Sequence, residues 1–153
     1  LAAQYQIPFV INDNIKVALE VDADGVHIGQ DDMSVEEARK LLGEDKIIGV
    51  SAHNVKEALK AQKGGADYLG VGAVCATSTK KDANVVSKEE IKKIKEAVDI
   101  PIVAIGGIKK DNIDALTGTG IDGVAVVSAI FGAKDITKDT KELLKTVKKM
   151  KQE

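Results

Sequence analysis

The sequence has no tryptophan, and two tyrosines and two phenylalanines make aromatics only 3% of its 153 residues. A surface that stacks nucleic-acid bases needs aromatic faces, and this chain has almost none to offer. A net charge of −2 gives no general attraction to nucleic acid or to an acidic membrane either. The single cysteine, Cys75, excludes an internal disulfide and fits a reducing, cytoplasmic setting. No apolar run reaches membrane-spanning length, and no signal peptide is visible. Proline is scarce too, with only Pro8 and Pro101. No linker or low-complexity tract divides the chain, so a single domain over residues 1–153 is expected. The chain opens at Leu1, without Met and in mid-pattern.

Apolar residues make up 44% and charged residues 30%, as in an ordinary globular protein. With so few aromatics the core has to be built from Val, Ile, Leu and Ala. Leu1 to Gln6 reads as the last turns of a helix, ended by Pro8, and Phe9-Val10-Ile11 as a buried strand stopping at Asn12-Asp13-Asn14. Ile15 to Val21 has helical spacing, and Asp24-Gly25 turns into the strand Val26-His27-Ile28. Ser34 with Glu37 predicts a capping box for a helix through Leu42. Lys46 to Val50 is the next strand, and Asn54 caps a helix to Lys63 that Gly64-Gly65 stops. The Tyr68 strand follows. Ser87 with Glu90 repeats the box for a helix through Val98. Strand Ile102 to Ile105, a helix from Asn112 through Leu116 and strand Gly123 to Val127 come next. A final amphipathic helix carries Leu143, Leu144, Val147 and Met150, with its lysines as the wet face. A weak internal echo accompanies this strand-then-helix alternation: Asp24, Asp67 and Asp122 each lead into a strand.

Short, β-branched, apolar strands alternating with helices predict a covered parallel sheet, either doubly wound or part of a (β/α)8 barrel. The polar residues decide. Asn12, Asp13, Gln30, Asp32, Ser51, Thr77, Gly107 and Ser128 all follow strand C-terminal ends. A barrel gathers those ends into one ring, whereas an open sheet turns its outer strands away from a central crevice. The expected fold is therefore a TIM (β/α)8 barrel. Six units leave two open edges, so the chain is expected to supply strands 3 to 8, with the first two strand-helix units lying before Leu1.

The stretch Tyr68 to Asp82, YLGVGAVCATSTKKD, begins as a strand and ends as a polar loop. Thr77, Ser78 and Thr79 followed by Lys80 and Lys81 suit an anionic, oxygen-rich ligand such as a phosphate ester or pyrophosphate. Asp13 and Asp32, past neighbouring strands, form a pair able to hold Mg²⁺ while water and phosphate oxygens complete its shell, with Asp31 the nearest competitor. Gly106-Gly107 and Val127-Ser128 end the last two strands, where backbone N–H groups cradle phosphate in such barrels. His27 lies within a strand and is expected to be packed, whereas His53 follows one. Cys75 has no base spaced near it and reads as packing.

The segments FVINDN, ADGVHIGQDDM, GVSAH, GADYLGVGAV, TSTKKDA, PIVAIGGI and DGVAVVSAIF, taken together and in this order, resemble the thiamine-phosphate synthase family. The resemblance spans nearly the whole chain. It implies a transferase that joins hydroxymethylpyrimidine pyrophosphate to thiazole phosphate with Mg²⁺ and releases pyrophosphate. Carried over position by position, Asn12 contacts the pyrimidine pyrophosphate, Asp13 and Asp32 hold Mg²⁺, and Ser51 and Lys80 bind the pyrophosphate substrate and carry the catalysis. Thr77, Ser78, Thr79, Gly107, Val127 and Ser128 meet the thiazole phosphate. The partners implied are these small molecules, with neither nucleic acid nor membrane, and a homo-oligomer is allowed.

Three departures accompany the resemblance. Family members usually have Pro where Ala73 and Ala76 stand, and an aromatic where Cys75 stands. Their Gln-x-Arg-x-Lys segment, which grips pyrophosphate, is not in this sequence. The chain alone is accordingly expected to be weakly active or inactive. The competing family reading is a thiazole tautomerase-like or regulatory paralogue that binds thiazole phosphate or thiamine phosphate without synthase activity. Such relatives generally carry His where Ala73 stands and lack the aspartate pair, so Asp13, Asp32 and Lys80 favour the synthase.

Overall fold

The computed structural model describes residues 1–75 and 85–150. Six strands form one sheet: β1 (Val10–Asn12), β2 (Gly25–Ile28), β3 (Ile47–Ala52), β4 (Tyr68–Val71), β5 (Ile102–Ile105) and β6 (Gly123–Ala125). Every neighbouring pair is parallel, and the strands lie side by side in sequence order. A doubly wound sheet reverses its order at a switch point, and this sheet has none. Right-handed crossovers that always step the same way leave every helix on one side. The result is a curled, one-sided sheet, the wall of a (β/α)8 barrel.

Side-chain alternation divides that wall into two faces. On the outer face Val26, Ile28, Ile48, Val50, Leu69, Val71, Ile102 and Ala104 are buried under the helices. Burial of each large aliphatic side chain there contributes about 1.5–3 kcal/mol. The helices are α1 (Ile15–Glu20), α2 (Val35–Leu42), α3 (Val55–Gly64), α4 (Lys88–Ala97), α5 (Ser128–Phe131) and α6 (Ile136–Met150). The first four turn small or branched residues inward: Ala18 on α1, Ala38 on α2, Ala58 and Ala61 on α3, Ile91 and Ile94 on α4. On α6, Leu143 and Met150 are buried, whereas Leu144 is half exposed and falls outside the apolar face expected for it.

The caps follow the sequence with one exchange. Ser34 and Glu37 form the reciprocal box at α2, and Asn54 Oδ1 accepts the Glu57 N–H at α3. Ser87 Oγ accepts the Glu90 N–H at α4, but the Glu90 carboxylate turns away and accepts the Val55 N–H at 3.2 Å. It thereby satisfies one of the open donors of α3 and ties α4 to it.

Several expected boundaries move. Residues Ala3–Tyr5 form a 3-10 turn instead of the end of an α-helix. Strand β3 runs on to Ala52, so Ser51 lies inside it, and β6 stops at Ala125. After β5 there is only a 3-10 turn, Ile113–Leu116, and the Asn112 side chain does not cap it. The short helix α5 was not apparent in the sequence pattern.

Candidate functional site

The inner face of the sheet is polar and glycine-rich. Register carries it across the strands: Asn12 pairs with His27, His27 with Gly49, and Gly49 with Tyr68. Parallel partners share a face, so these four form one layer. The layer toward the C-terminal ends holds Ser51, Gly70, Val103 and Gly123.

The C-terminal ends of β1 to β3 are tied into one cluster. His27 Nε2 lies 3.0 Å from Ser51 Oγ, and Nδ1 lies 3.0 Å from Tyr68 Oη. The two rings stand 5.5 Å apart between centroids and are tilted by 40°. His27 is thus more than the packed strand residue expected of it. Burial lowers its pKa, with the Asp13 charge opposing the shift. Burial raises the Tyr68 pKa and keeps its phenol protonated. Gln30 Nε2 donates to the Ser51 carbonyl at 2.7 Å, joining the β2 loop to β3.

Asp13 follows β1 directly and donates its N–H to the His27 carbonyl at 2.8 Å, extending the ladder by one bond. Its φ of 63° lies in the left-handed region that few residues other than glycine, Asn and Asp enter. The next residue, Asn14, caps α1 through its side chain. Asp13 is therefore fixed between a strand end and a helix start. Asp32 accepts the Gly29 N–H at 2.6 Å through Oδ2, which folds the β2–α2 loop back on itself. Both carboxylates belong to loops leaving the same end of adjacent, hydrogen-bonded strands. Among the described residues no three His, Cys, Asp or Glu side chains are grouped closely enough to chelate an ion. Mg²⁺ keeps several waters and binds through one or two carboxylates, so Asp13 and Asp32 are the residues that could hold it.

The second cluster lies past β5 and β6. Gly106 and Gly107 have φ of 95° and 69°, a left-handed pair that turns the chain sharply at the strand end. Asn112 holds that turn in place: Nδ2 donates to the Gly107 carbonyl at 2.9 Å and Oδ1 accepts the Lys109 N–H at 2.8 Å. Val127 immediately precedes α5 and is exposed, and Ser128 begins that helix. A cavity of about 590 Å³ opens here, lined in part by Lys109, Lys110, Ser128 and Leu143. A smaller cavity of about 100 Å³ lies beside the first cluster, where Gln30 and Asp32 face Glu57 and Lys60.

Parallel strands bring the two clusters to the same edge of the sheet. Asn12, Asp13, Asp32 and Ser51 lie toward β1–β3, and Gly107, Val127 and Ser128 lie past β5 and β6. Thr77, Ser78, Thr79 and Lys80 lie outside the described residues. Cys75 is partly buried against the core, and burial, with the Asp111 charge, raises its thiol pKa, as a packing role requires. Sequence reasoning missed the His27–Tyr68 pair and the Asn112 clamp. Gly49, between His27 and Tyr68 in register, was the available signal for the pair.

Comparison with known proteins agrees with this layout. The family model for thiamine monophosphate synthase matches residues 1–130. Thiamine-phosphate synthase of Clostridium tetani is 55% identical over 140 residues, covering 92% of this chain and 67% of the relative. The enzyme of the same name from Methanobrevibacter smithii is 55% identical over 148 residues, covering 97% of this chain and 71% of the relative. The solved structure of thiamine phosphate pyrophosphorylase from Pyrococcus furiosus superposes with a TM-score of 0.88 at 48% identity, covering 97% of this chain and 71% of that one. With its sequence-ordered parallel strands and its polar strand ends on one edge, this chain belongs to the thiamine-phosphate synthase family of transferases.

Proposed function

We propose that the chain is a Mg²⁺-dependent transferase that joins hydroxymethylpyrimidine pyrophosphate to thiazole phosphate. The C–O bond from the pyrimidine methylene to pyrophosphate breaks, a C–N bond to the thiazole nitrogen forms, and thiamine phosphate and pyrophosphate leave. Asp13 and Asp32 would hold the metal, which when bound neutralises charge growing on the departing pyrophosphate. Asn12 and Ser51 reach the same substrate from the ends of β1 and β3, Ser51 by donating its hydroxyl proton to a phosphate oxygen. Lys80 is assigned to that oxygen-rich group as well, and Thr77, Ser78 and Thr79 to the thiazole phosphate. The backbone at Gly107, Val127 and Ser128 receives the thiazole phosphate and so aims the ring nitrogen at the methylene carbon. Neither a protein nucleophile nor a strong base is required.

The observation that supports this reading most is the joining of Asn12, Asp13 and Ser51 through the single residue His27. It ties the ends of three neighbouring strands together at the edge where barrel enzymes bind substrate. The test supplies both substrates with and without Mg²⁺ and follows thiamine phosphate. Product is expected only with both substrates and the metal, and its loss is expected in Asp32→Ala. Because the Gln-x-Arg-x-Lys segment is not in this sequence, the deciding result is Mg²⁺-dependent pyrophosphate binding that Asp32→Ala abolishes; thiazole phosphate binding without it would favour the non-catalytic paralogue.

A further inference from the structure

We propose that Tyr68 and His27 act as a positioning relay that fixes the direction of the Ser51 hydroxyl proton. The proposal rests on the reading of Ser51 as a pyrophosphate-binding group. A neutral imidazole has one donor nitrogen and one acceptor nitrogen, and His27 uses both, toward Tyr68 Oη and Ser51 Oγ, each at 3.0 Å. Two arrangements satisfy those contacts. In the first, the Tyr68 O–H donates to Nδ1, and Nε2–H donates to Ser51 Oγ. The Ser51 proton is then free to point out of the sheet. In the second, every bond reverses: Ser51 donates to Nε2, Nδ1–H donates to Tyr68, and Ser51 presents only lone pairs.

An anionic ligand at Ser51 is compatible only with the first arrangement, because lone pairs facing a phosphate oxygen repel it. Tyr68 is the group that can bias the choice. Its phenol is the stronger hydrogen-bond donor of the two hydroxyls, and its placement over Gly49 fixes it against the imidazole. The relay thus has three members on three successive strands, β2, β3 and β4, all directing protons the same way. The Ser51 carbonyl is held by Gln30 at 2.7 Å, which steadies the backbone that carries the hydroxyl. Neither Tyr68 nor His27 needs to touch the pyrophosphate for this to work.

The test measures binding of inorganic pyrophosphate with Mg²⁺ by calorimetry. Ser51→Ala is expected to weaken binding roughly tenfold, and Tyr68→Phe about three- to tenfold, as for loss of a hydrogen bond to a charged group and of its orienting partner. The deciding measurement is Tyr68→Phe in a Ser51→Ala background, where it should have no further effect. A residue that merely supports the fold would weaken binding in either background, and such a result overturns the relay. So does Tyr68→Phe that leaves binding unchanged. His27→Gln provides the second probe, expected to weaken pyrophosphate binding while thiazole phosphate binding is retained. Equal loss of both ligands counts against the relay. If the unaltered chain binds no pyrophosphate, or Ser51→Ala binds it normally, the assignment of Ser51 fails and the relay fails with it.

Discussion

His27 and Tyr68 belong to strands two apart in the sheet, yet their side chains meet at 3.0 Å across Gly49. Neighbouring strands are spaced about 4.8 Å, so the two backbones stand roughly 10 Å apart. A side chain on the intervening strand at that register would separate them. Glycine leaves the space empty, and the Tyr68 ring occupies it. The hydrogen-bonded pair thus depends on an atom that is missing from β3.

Gly49→Ala should therefore displace Tyr68, because the added methyl overlaps Tyr68 Cζ, Cε1 and Oη. Overpacking of this kind costs about 1–3 kcal/mol. Adding Gly49→Ala to Tyr68→Ala, which removes the ring, should cost much less than it does alone, since contacting sites are not additive. Urea unfolding of the four proteins measures the coupling. Equal effects in both backgrounds would show that the ring does not depend on the glycine.

A second expectation concerns the opposite edge of the sheet. Arg39 of α2 donates to the carbonyls of Gly43, Lys46 and Gly65 at 3.0, 2.6 and 2.8 Å, and to Asp67 at 2.7 Å. Lysine offers a point charge where the site uses a planar fork, so Arg39→Lys should lose about 2 kcal/mol. The urea midpoint should fall with an unchanged slope. Asp22→Ala, which removes a fully exposed partner of Lys46, should leave the midpoint where it is.

Asp67, the carboxylate that Arg39 holds, also shows what the sequence could reveal. Asp24, Asp67 and Asp122 recur just before β2, β4 and β6. Their carboxylates accept the N–H groups of Phe9, Ile48 and Ile102 at 2.7, 2.7 and 2.8 Å, each at or beside the start of the preceding strand. The echo in the sequence is thus a stitch repeated at every second strand. It was legible because each aspartate stands at the same place beside its strand. The caps at Ser34 and Asn54 were legible for the same reason. His27 is partly buried within its strand as expected, but its partners were not legible because they lie 24 and 41 residues away and only register brings them together. The Glu90 carboxylate departs from the expected box because it satisfies Val55 of the neighbouring helix, and Asn112 because its side chain holds the preceding loop at Gly107 and Lys109 instead of capping the turn it begins. The roles of Thr77, Ser78, Thr79 and Lys80 rest on sequence resemblance alone.

Glu57 gives a pH dependence with a definite sign. Burial pushes its pKa up, but the His53 ring and N–H and the Asn54 amide donate to it and outweigh burial, so it lies below the ordinary 4.5. A carboxyl group lowered on folding binds fewer protons in the folded than in the unfolded chain. Its contribution to stability is therefore complete above 4.5 and is lost as pH falls through the folded value. The stability gap between the native chain and Glu57→Gln should hold at neutral pH and narrow in acid. A gap unchanged as the pH is taken well below 4.5 would show that the ionised carboxylate is not its source.

The Asn112 clamp separates the two halves of the proposed substrate site. Its amide nitrogen holds the Gly107 carbonyl, and its amide oxygen holds the Lys109 N–H. These two bonds hold the chain just after the left-handed pair Gly106 and Gly107, at the turn that is proposed to receive the thiazole phosphate. Asn112→Ala frees both ends, at a cost of about 1 kcal/mol per lost hydrogen bond. Asn112→Asp keeps the acceptor for Lys109 but loses the donor to Gly107 and adds a negative charge beside the cradle. Thiazole phosphate binding should weaken in both variants, and more in Asn112→Asp, since like charge is now added to lost order. Pyrophosphate binding, assigned to the β1–β3 end, should be unchanged in Asn112→Ala. If both ligands weaken together in that variant, Asn112 supports the whole barrel wall. If thiazole phosphate alone weakens, the clamp organises one end of the site, and the two phosphate groups are held by separate parts of the sheet.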